Sequence, residues 1–324
     1  MRKIPLLTYL FFLSVLLLAF TTRPSVATET ETKQGDADAH LNQGNAYMQE
    51  GRYDQAIAEY TKALEINPKF TKAYNNRGGA YLQKGQHEQA ISDFNKALEI
   101  NPKDAEAYNN RGFIYLQKGQ NDNAFSDFSK ALEINPSYVT AYNNRAFAYA
   151  QKGQFDEAIS DFNKVLEINP KDAEAYNNRA FAYLQKGQPD RAISDLSKAL
   201  EIRPGDAETY TNRGFIYLQT GQHDQAISDF NKLLEIDPKN TAAYNSRAIA
   251  YLKKGQHDQA ISDLTKLLEI NPKCVEAYNN RAFCHYSKKE YEKAWDDIHK
   301  AESLGFTVDP KFLEELSKAS GRKK

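Results

Sequence analysis

From residue 37 onward, apolar and polar positions follow a helical period, and the whole pattern recurs every 34 residues. Repeats start at Ala37, Thr71, Ala105, Val139, Ala173, Ala207, Thr241 and Val275, so eight of them cover residues 37–308. In the third repeat Tyr108, Gly112 and Tyr115 share one face of a helix, at spacings of four and three residues. Gly119 stops that helix. A second helix shows Ala124, Phe128 and Ala131 at the same spacings, and Pro136 ends it because proline cannot continue the hydrogen-bond ladder. Every second helix has an acid in its first turn, from Asp54 to Glu292, where the helix dipole favours a negative charge. Pro189 suits the same turn. The pattern predicts eight pairs of amphipathic helices.

Counted from the start of each repeat, place 4 is tyrosine in all but the first, which has His40. Place 8 is glycine or alanine, place 11 mostly tyrosine and place 20 always alanine (Ala56 to Ala294). Place 24 is aromatic or aliphatic, place 27 small or aliphatic, and place 32 proline until the last repeat. This pattern resembles the tetratricopeptide repeat family. The resemblance implies an all-α, right-handed superhelical solenoid of eight antiparallel helix pairs, with first helices on a concave inner wall and second helices outside. In the last repeat Lys289 replaces the helix-stopping glycine, and Leu304, Gly305 and Phe306 replace the proline. Residues 309–324 read as a capping helix and basic tail, with Phe312, Leu313 and Leu316 turned onto the open end.

Two places depart from the family pattern. Place 7, usually a core leucine there, is arginine in seven repeats: Arg77, Arg111, Arg145, Arg179, Arg213, Arg247 and Arg281. Place 23 is aspartate in the same seven, from Asp93 to Asp297, while the first repeat has Gln43 and Glu59. A half-buried guanidinium needs an acceptor, and a carboxylate offers two parallel bonds. The pairing predicts an Arg–Asp bridge within or between repeats; a basic ladder for an acidic ligand is the functional alternative.

Places 2, 6, 9 and 13 form one stripe of the first helix, which the resemblance puts on the groove. Place 6 is Asn42, Asn76, Asn110, Asn144, Asn178, Asn212 and Asn280, interrupted by Ser246. Asparagine is a mediocre helix former, and a carboxamide can pair with both the N–H and the C=O of an extended peptide. The row resembles the asparagine ladder inside the repeat superhelix of O-GlcNAc transferase. The alternative is that copying carried these residues along and they bond to one another or to water. The place 5 asparagines, Asn75, Asn109, Asn143, Asn177, Asn245 and Asn279, are more ambiguous and read as the groove's rim. Place 9 holds Phe113, Phe147, Phe181, Phe215, Ile249 and Phe283, after Asn45 and Gly79 in the first two repeats. Contiguous exposed aromatics mark binding sites, whereas rings folded between repeats would be core. Place 13 is mostly glutamine. Relatives that clamp a peptide carboxylate carry lysines at places 2 and 5 and arginine at 6; only Lys72 matches, so that clamp is not expected.

The first 27 residues add an address. Met1-Arg2-Lys3 precedes an uncharged run from Ile4 to Phe20, then Ser25-Val26-Ala27, the layout of a secretory signal cleaved after Ala27. A retained anchor through residues 4–20 is the alternative, and both put the rest outside the cytoplasm, periplasmic or secreted. Residues 28–36 read as a flexible polar lead-in. Basic and acidic residues balance at 42 and 43, a net charge of −1 that argues against a nucleic-acid partner. Cys274 and Cys284 are the two cysteines, too far apart along a helix to bridge. No phosphate loop, paired-cysteine metal spacing or nucleophile triad stands out, and His87, His223 and His257 at place 17 read as solvated. The expected function is therefore a non-catalytic adaptor without cofactor or metal, binding an extended protein segment in its groove. The alternative from another class is a scaffold that assembles with copies of itself.

Overall fold

In the computed structural model, residues 26–322 are described, with side chains from Lys33 onward. The expected leader falls outside them, except that Val26 and Ala27 open the first helix. Among the described residues there are 17 helices and no strands, and no helix is long and apolar enough to cross a membrane.

The chain divides into two compact halves, residues 1–148 and 149–324. The N-terminal half holds α1 (Val26–Gln49), α2 (Tyr53–Ile66), α3 (Thr71–Gln83), α4 (His87–Ile100), α5 (Ala105–Gln117), α6 (Asn121–Ile134) and most of α7 (Val139–Gln151). The C-terminal half holds α8 (Phe155–Ile168), α9 (Ala173–Gln185), α10 (Pro189–Ile202), α11 (Ala207–Gln219), α12 (His223–Ile236), α13 (Thr241–Lys253), α14 (His257–Ile270), α15 (Val275–Ser287), α16 (Tyr291–Ser303) and α17 (Pro310–Ser320). Odd-numbered helices up to α15 are the first helices of their repeats. Residues 28–36 are helical and part of α1, not a loose lead-in. Glutamate and lysine are good helix formers, and Gln34 bonds Asp38 one turn on, so the segment extends the helix it precedes.

The turn between paired helices is the same in each repeat. Gly85 adopts φ +70°, with its N–H bonded to Leu82 O at 2.9 Å and the Gln86 N–H bonded to Tyr81 O at 2.8 Å. That double bond satisfies the last carbonyls of α3 and requires a left-handed residue, for which glycine is best suited. Lys289 takes φ 62° at the matching place in the last repeat. Five of the second helices end at an Asn-Pro step; at one of them Asn101 Oδ1 accepts from the Lys103 N–H before Asp104 caps α5 through the Ala107 N–H.

Within each pair the contact is set by small residues. The alanines of place 20 are fully buried, allowing close helix approach. Place 8 and place 24 complement each other in volume in most repeats, the fourth being the exception with Ala146 and Phe162 both buried. A Cβ on Gly78 would lie 2.9 Å from Phe94, and one on Gly112 or Gly214 equally close to Phe128 or Phe230. Where place 8 is Ala180 or Ala248, place 24 is Leu196 or Leu264, all buried.

The Arg–Asp pairs are the joints. Arg77 donates from Nε and Nη2 to the two oxygens of Asp93, both at 2.8 Å, and from Nη1 to Thr61 Oγ1 at 3.0 Å. The bidentate bridge lies within one repeat; the third bond reaches the second helix of the preceding repeat. Arg111 repeats the arrangement with Asp127 and Asn95, and Arg213 with Asp229 and Ser197. The same guanidinium lies over both tyrosines of its own helix, 5.9 Å from the Tyr210 ring and 5.7 Å from Tyr217 for Arg213. Hydrogen bonding to aspartate raises the pKa of Arg77, Arg111 and Arg281 further, so the cation persists at any ordinary pH. In the first repeat, His40 Nδ1 and Glu59 meet at 2.6 Å instead. A second joint lies outside: the first-turn acids Asp54, Glu88, Asp156, Asp224 and Asp258 pair with Lys84, Lys118, Lys186, Lys254 and Lys288 of the next repeat. Helix α17 closes the last repeat, with Leu316 fully buried against Trp295 and Ile298, and Phe312 partly buried beside them.

Two outcomes follow. Gly78→Ala should destabilise by about 1–3 kcal/mol through overpacking. Adding Phe94→Leu, which copies the Ala248–Leu264 pairing, should recover part of that loss, so a double-mutant cycle in urea should show favourable coupling. Arg213→Met strands Asp229, a carboxylate only 3% exposed, and should cost about 3–5 kcal/mol by the same measurement.

Candidate functional site: the solvent face of the first helices

Since tyrosine, arginine and alanine commit the other faces of each first helix to packing, places 2, 6, 9 and 13 are left outward. In α9 these are Glu174, Asn178, Phe181 and Gln185, and all four are exposed. In α11 they are Glu208, Asn212, Phe215 and Gln219, again all exposed. The aromatic row is a surface feature. Phe181 is 53% exposed, Phe215 37% and Phe283 47%; in the N-terminal half Phe147 is also exposed. Phe113 differs, packing partly buried against Leu116, Ala124 and Phe128. Ile249 is half-buried.

The asparagines divide into two groups. Asn42, Asn178 and Asn212 are exposed. Asn76 donates to Asn45 at 2.6 Å, Asn110 accepts from Asn109 at 3.1 Å, Asn144 donates to Asn109 at 2.9 Å, and Asn280 donates to Asn245 at 3.5 Å. The row is therefore not an unbroken ladder of free amides: four of its members bind other asparagines, as in the alternative weighed above. The place 5 asparagines are joints. Asn75 donates at 2.8 Å to Asp104, the last residue of its own repeat and the cap of the next first helix, and Asn109 is nearly fully buried. Asn177 explains why Asn212 is free. It donates to the Thr209 hydroxyl at 2.8 Å, and Thr209 also donates to Asp206 at 2.7 Å. In repeats four and eight, place 3 is Ala141 or Ala277, and the preceding place 5 amide bonds to place 6 instead. Thr209 is the one departure from alanine at place 3, but alanine there does not by itself tie the place 6 amide, since Asn178 is exposed in a repeat that has Ala175.

Two pockets open on this face of the C-terminal half. One, of about 160 Å³, lies between α9 and α11 with Phe181 and Phe215 at its mouth. Ala180, Leu184, Leu196 and Ile216 form its floor, and Asn177, Asn212 and Gln219 supply its polar groups. The other, of about 390 Å³, lies beside Asn279, Asn280 and Phe283 and is completed by Asp309, Lys311, Phe312 and Glu315 from the last helix and the residues before it. Phe312 packs with its ring centre 5.8 Å from that of Phe283, so a residue read as pure cap also lines the site. Among the described residues, no group of three or more His, Cys, Asp or Glu side chains is placed to hold a metal ion. His223 and His257 each keep a buried, unpartnered Nδ1, so these rings are not simply solvated at that atom. Burial pushes the Cys284 thiol up to about 12, which removes it as a nucleophile at neutral pH.

The two asparagine groups should respond differently to truncation. Asn144→Ala removes a partner of buried Asn109 and should cost about 1–3 kcal/mol. Asn178→Ala and Asn212→Ala should stay within about 0.5 kcal/mol of the parent chain, measured by urea unfolding.

Sequence comparison places these features in a known group. The TPR repeat pattern matches residues 44–85, 78–119, 112–153 and 148–187, and a second tetratricopeptide repeat pattern matches 171–239 and 205–273. No curated protein matches the chain. Among solved structures, YrrB, a TPR protein with an unusual peptide-binding site, is 28% identical with a TM-score of 0.51, covering 57% of this chain and 95% of its own. A tetratricopeptide repeat protein from Parabacteroides merdae is 25% identical with a TM-score of 0.52, covering 78% and 99%. The C-terminal part of a TPR repeat-containing protein from Cytophaga hutchinsonii shares the fold, with a TM-score of 0.65 at 19% identity over 74% and 98%. With its matched repeats, its paired helices and its repeated Gly and Ala contacts, the chain belongs to the tetratricopeptide repeat family, whose arrays are protein–protein interaction scaffolds.

Proposed function

We propose that the protein is an exported, non-catalytic adaptor that holds an extended segment of a partner polypeptide against the first helices of its C-terminal half. The observation that carries this reading is the pocket between Phe181 and Phe215, apolar at its floor and ringed by amides. Small binding sites combine an apolar cavity with a few placed polar groups in this way. Phe181, Phe215 and Phe283 expose apolar area that contributes nothing to folding, and such area is stabilised by a partner. Asn178 and Asn212 have amides free to pair with a backbone whatever its side chains. The peptide-binding site of YrrB lends support by analogy. Export rests on the basic, apolar and small-residue layout of residues 1–27.

A photocrosslinker tests the site. With p-benzoylphenylalanine at position 181, adducts to a partner polypeptide are expected in the native compartment, and none from position 236 on the second helix α12. The Asn178→Ala/Asn212→Ala double variant should weaken partner binding roughly five- to hundredfold, the loss of two hydrogen bonds. Equal adducts at both positions, or none at 181, would sink the reading. The exported chain should begin at Thr28 by N-terminal sequencing.

A further inference from the structure

The spacing of the exposed face limits the conformation its occupant can have. Consecutive first helices touch: Asn177 of α9 bonds Thr209 of α11, and Asn280 of α15 bonds Asn245 of α13. Helices in contact have axes about 10 Å apart, so Phe181, Phe215, Ile249 and Phe283 repeat at about that interval. A β-strand turns the same face outward every second residue, about 6.7 Å, and its third residue points the opposite way. A polyproline-II helix has three residues per turn and rises about 3.1 Å per residue, so every third side chain points the same way at about 9.3 Å. The second conformation matches the aromatic row; the first does not. It also leaves all its backbone N–H and C=O groups unpaired, which suits the free amides of Asn178 and Asn212.

The rims of the face are unequal. Place 2 carries Glu174, Glu208 and Glu276, all exposed, on one side of the phenylalanines. Place 13 carries Gln185, Gln219, Lys253 and Ser287 on the other. A threefold helix with one edge in the aromatic pockets turns a second edge toward the acids, so basic residues are complementary there.

We propose that the occupant is a polyproline-II segment with an apolar side chain at every third position and lysine or arginine next to it, facing the glutamates. This rests on the groove reading above and specifies its ligand. Four apolar positions span three intervals, so a segment of about ten residues fills the face.

The test is fluorescence anisotropy of labelled synthetic peptides with the full mature chain. The first probe is a twelve-residue (Leu-Lys-Pro) repeat. The second is an isomer of equal composition with no leucines three apart, and the third carries Glu for Lys. The first should bind at least about tenfold more tightly than either of the others, a difference of about 1.4 kcal/mol. Phe181→Ala should abolish the preference for the three-residue period, and Glu208→Gln should narrow the preference for lysine over glutamate. Both positions are exposed, so the circular dichroism and melting curve should stay unchanged. Equal binding of the periodic peptide and its isomer, or no binding of the periodic peptide, would overturn the proposal. If the two bind equally and both lose affinity in Phe181→Ala, the three-residue register falls while the groove stands. If Phe181→Ala changes neither, the groove falls as well.

Discussion

The structure depends on a half-buried guanidinium held by a buried carboxylate, from Arg77–Asp93 in the second repeat to Arg281–Asp297 in the last. Aspartates such as Asp127 and Asp229 are almost wholly removed from water, a state that is tolerable only if both oxygens are bonded. The planar fork of arginine provides that in one geometry, and its remaining amine reaches the preceding repeat. A leucine at place 7 would bury as much apolar area without fixing an angle or a register. The ion pair therefore acts mainly as a specifier of how successive repeats meet, with tyrosines above and below the guanidinium limiting its freedom.

This joint also determines what is left for binding. With tyrosine, arginine and the small residue of place 8 committed to packing, a first helix has one stripe that packing engages least, although Phe215 still meets the buried Phe230 ring edge-on at 5.7 Å. In α9 and α11 that stripe is acid, amide, phenylalanine and amide, all facing water. Rings at this place could have stabilised the fold by turning inward, as Phe113 partly does. Phe147 of the N-terminal half is exposed as well; what the C-terminal half adds is an apolar pocket between two such rings, Phe181 and Phe215. The last helix contributes to that surface as well as to the core, since Phe312 packs on both Phe283 and Tyr286.

Repetition made much of this legible in the chain. A pattern copied at a 34-residue interval carries the helix boundaries, the stop glycines and the proline ends, because each follows from local backbone chemistry. The pairing of Arg77 with Asp93 and its equivalents was also readable, since two charged types at fixed offsets on core faces have few other partners. Helical periodicity grouped places 2, 6, 9 and 13 into one stripe, and the family resemblance put that stripe outward. The same repetition obscured the site. Asn144 and Asn212 occupy the same place in near-identical sequence, and yet one is tied to Asn109 and the other is free.

The sequence alone determined the repeat, the helix pairs and the existence of an Arg–Asp bridge, all of which depend on residues close in the chain or locked to a period; that the bridge closes within a repeat was decided by the fold. Tertiary structure alone decided the third arginine bond across the joint, the fate of each asparagine and the contribution of Phe312 to a pocket. The third arginine bond spans 16 residues, as the bridge to aspartate does, but it runs back to the preceding repeat, and Asn177 meets Thr209 32 residues on; packing alone makes those choices. A hydrogen bond goes to whichever acceptor the fold brings within about 3 Å, and that distance is a property of the packed helices rather than of any one segment.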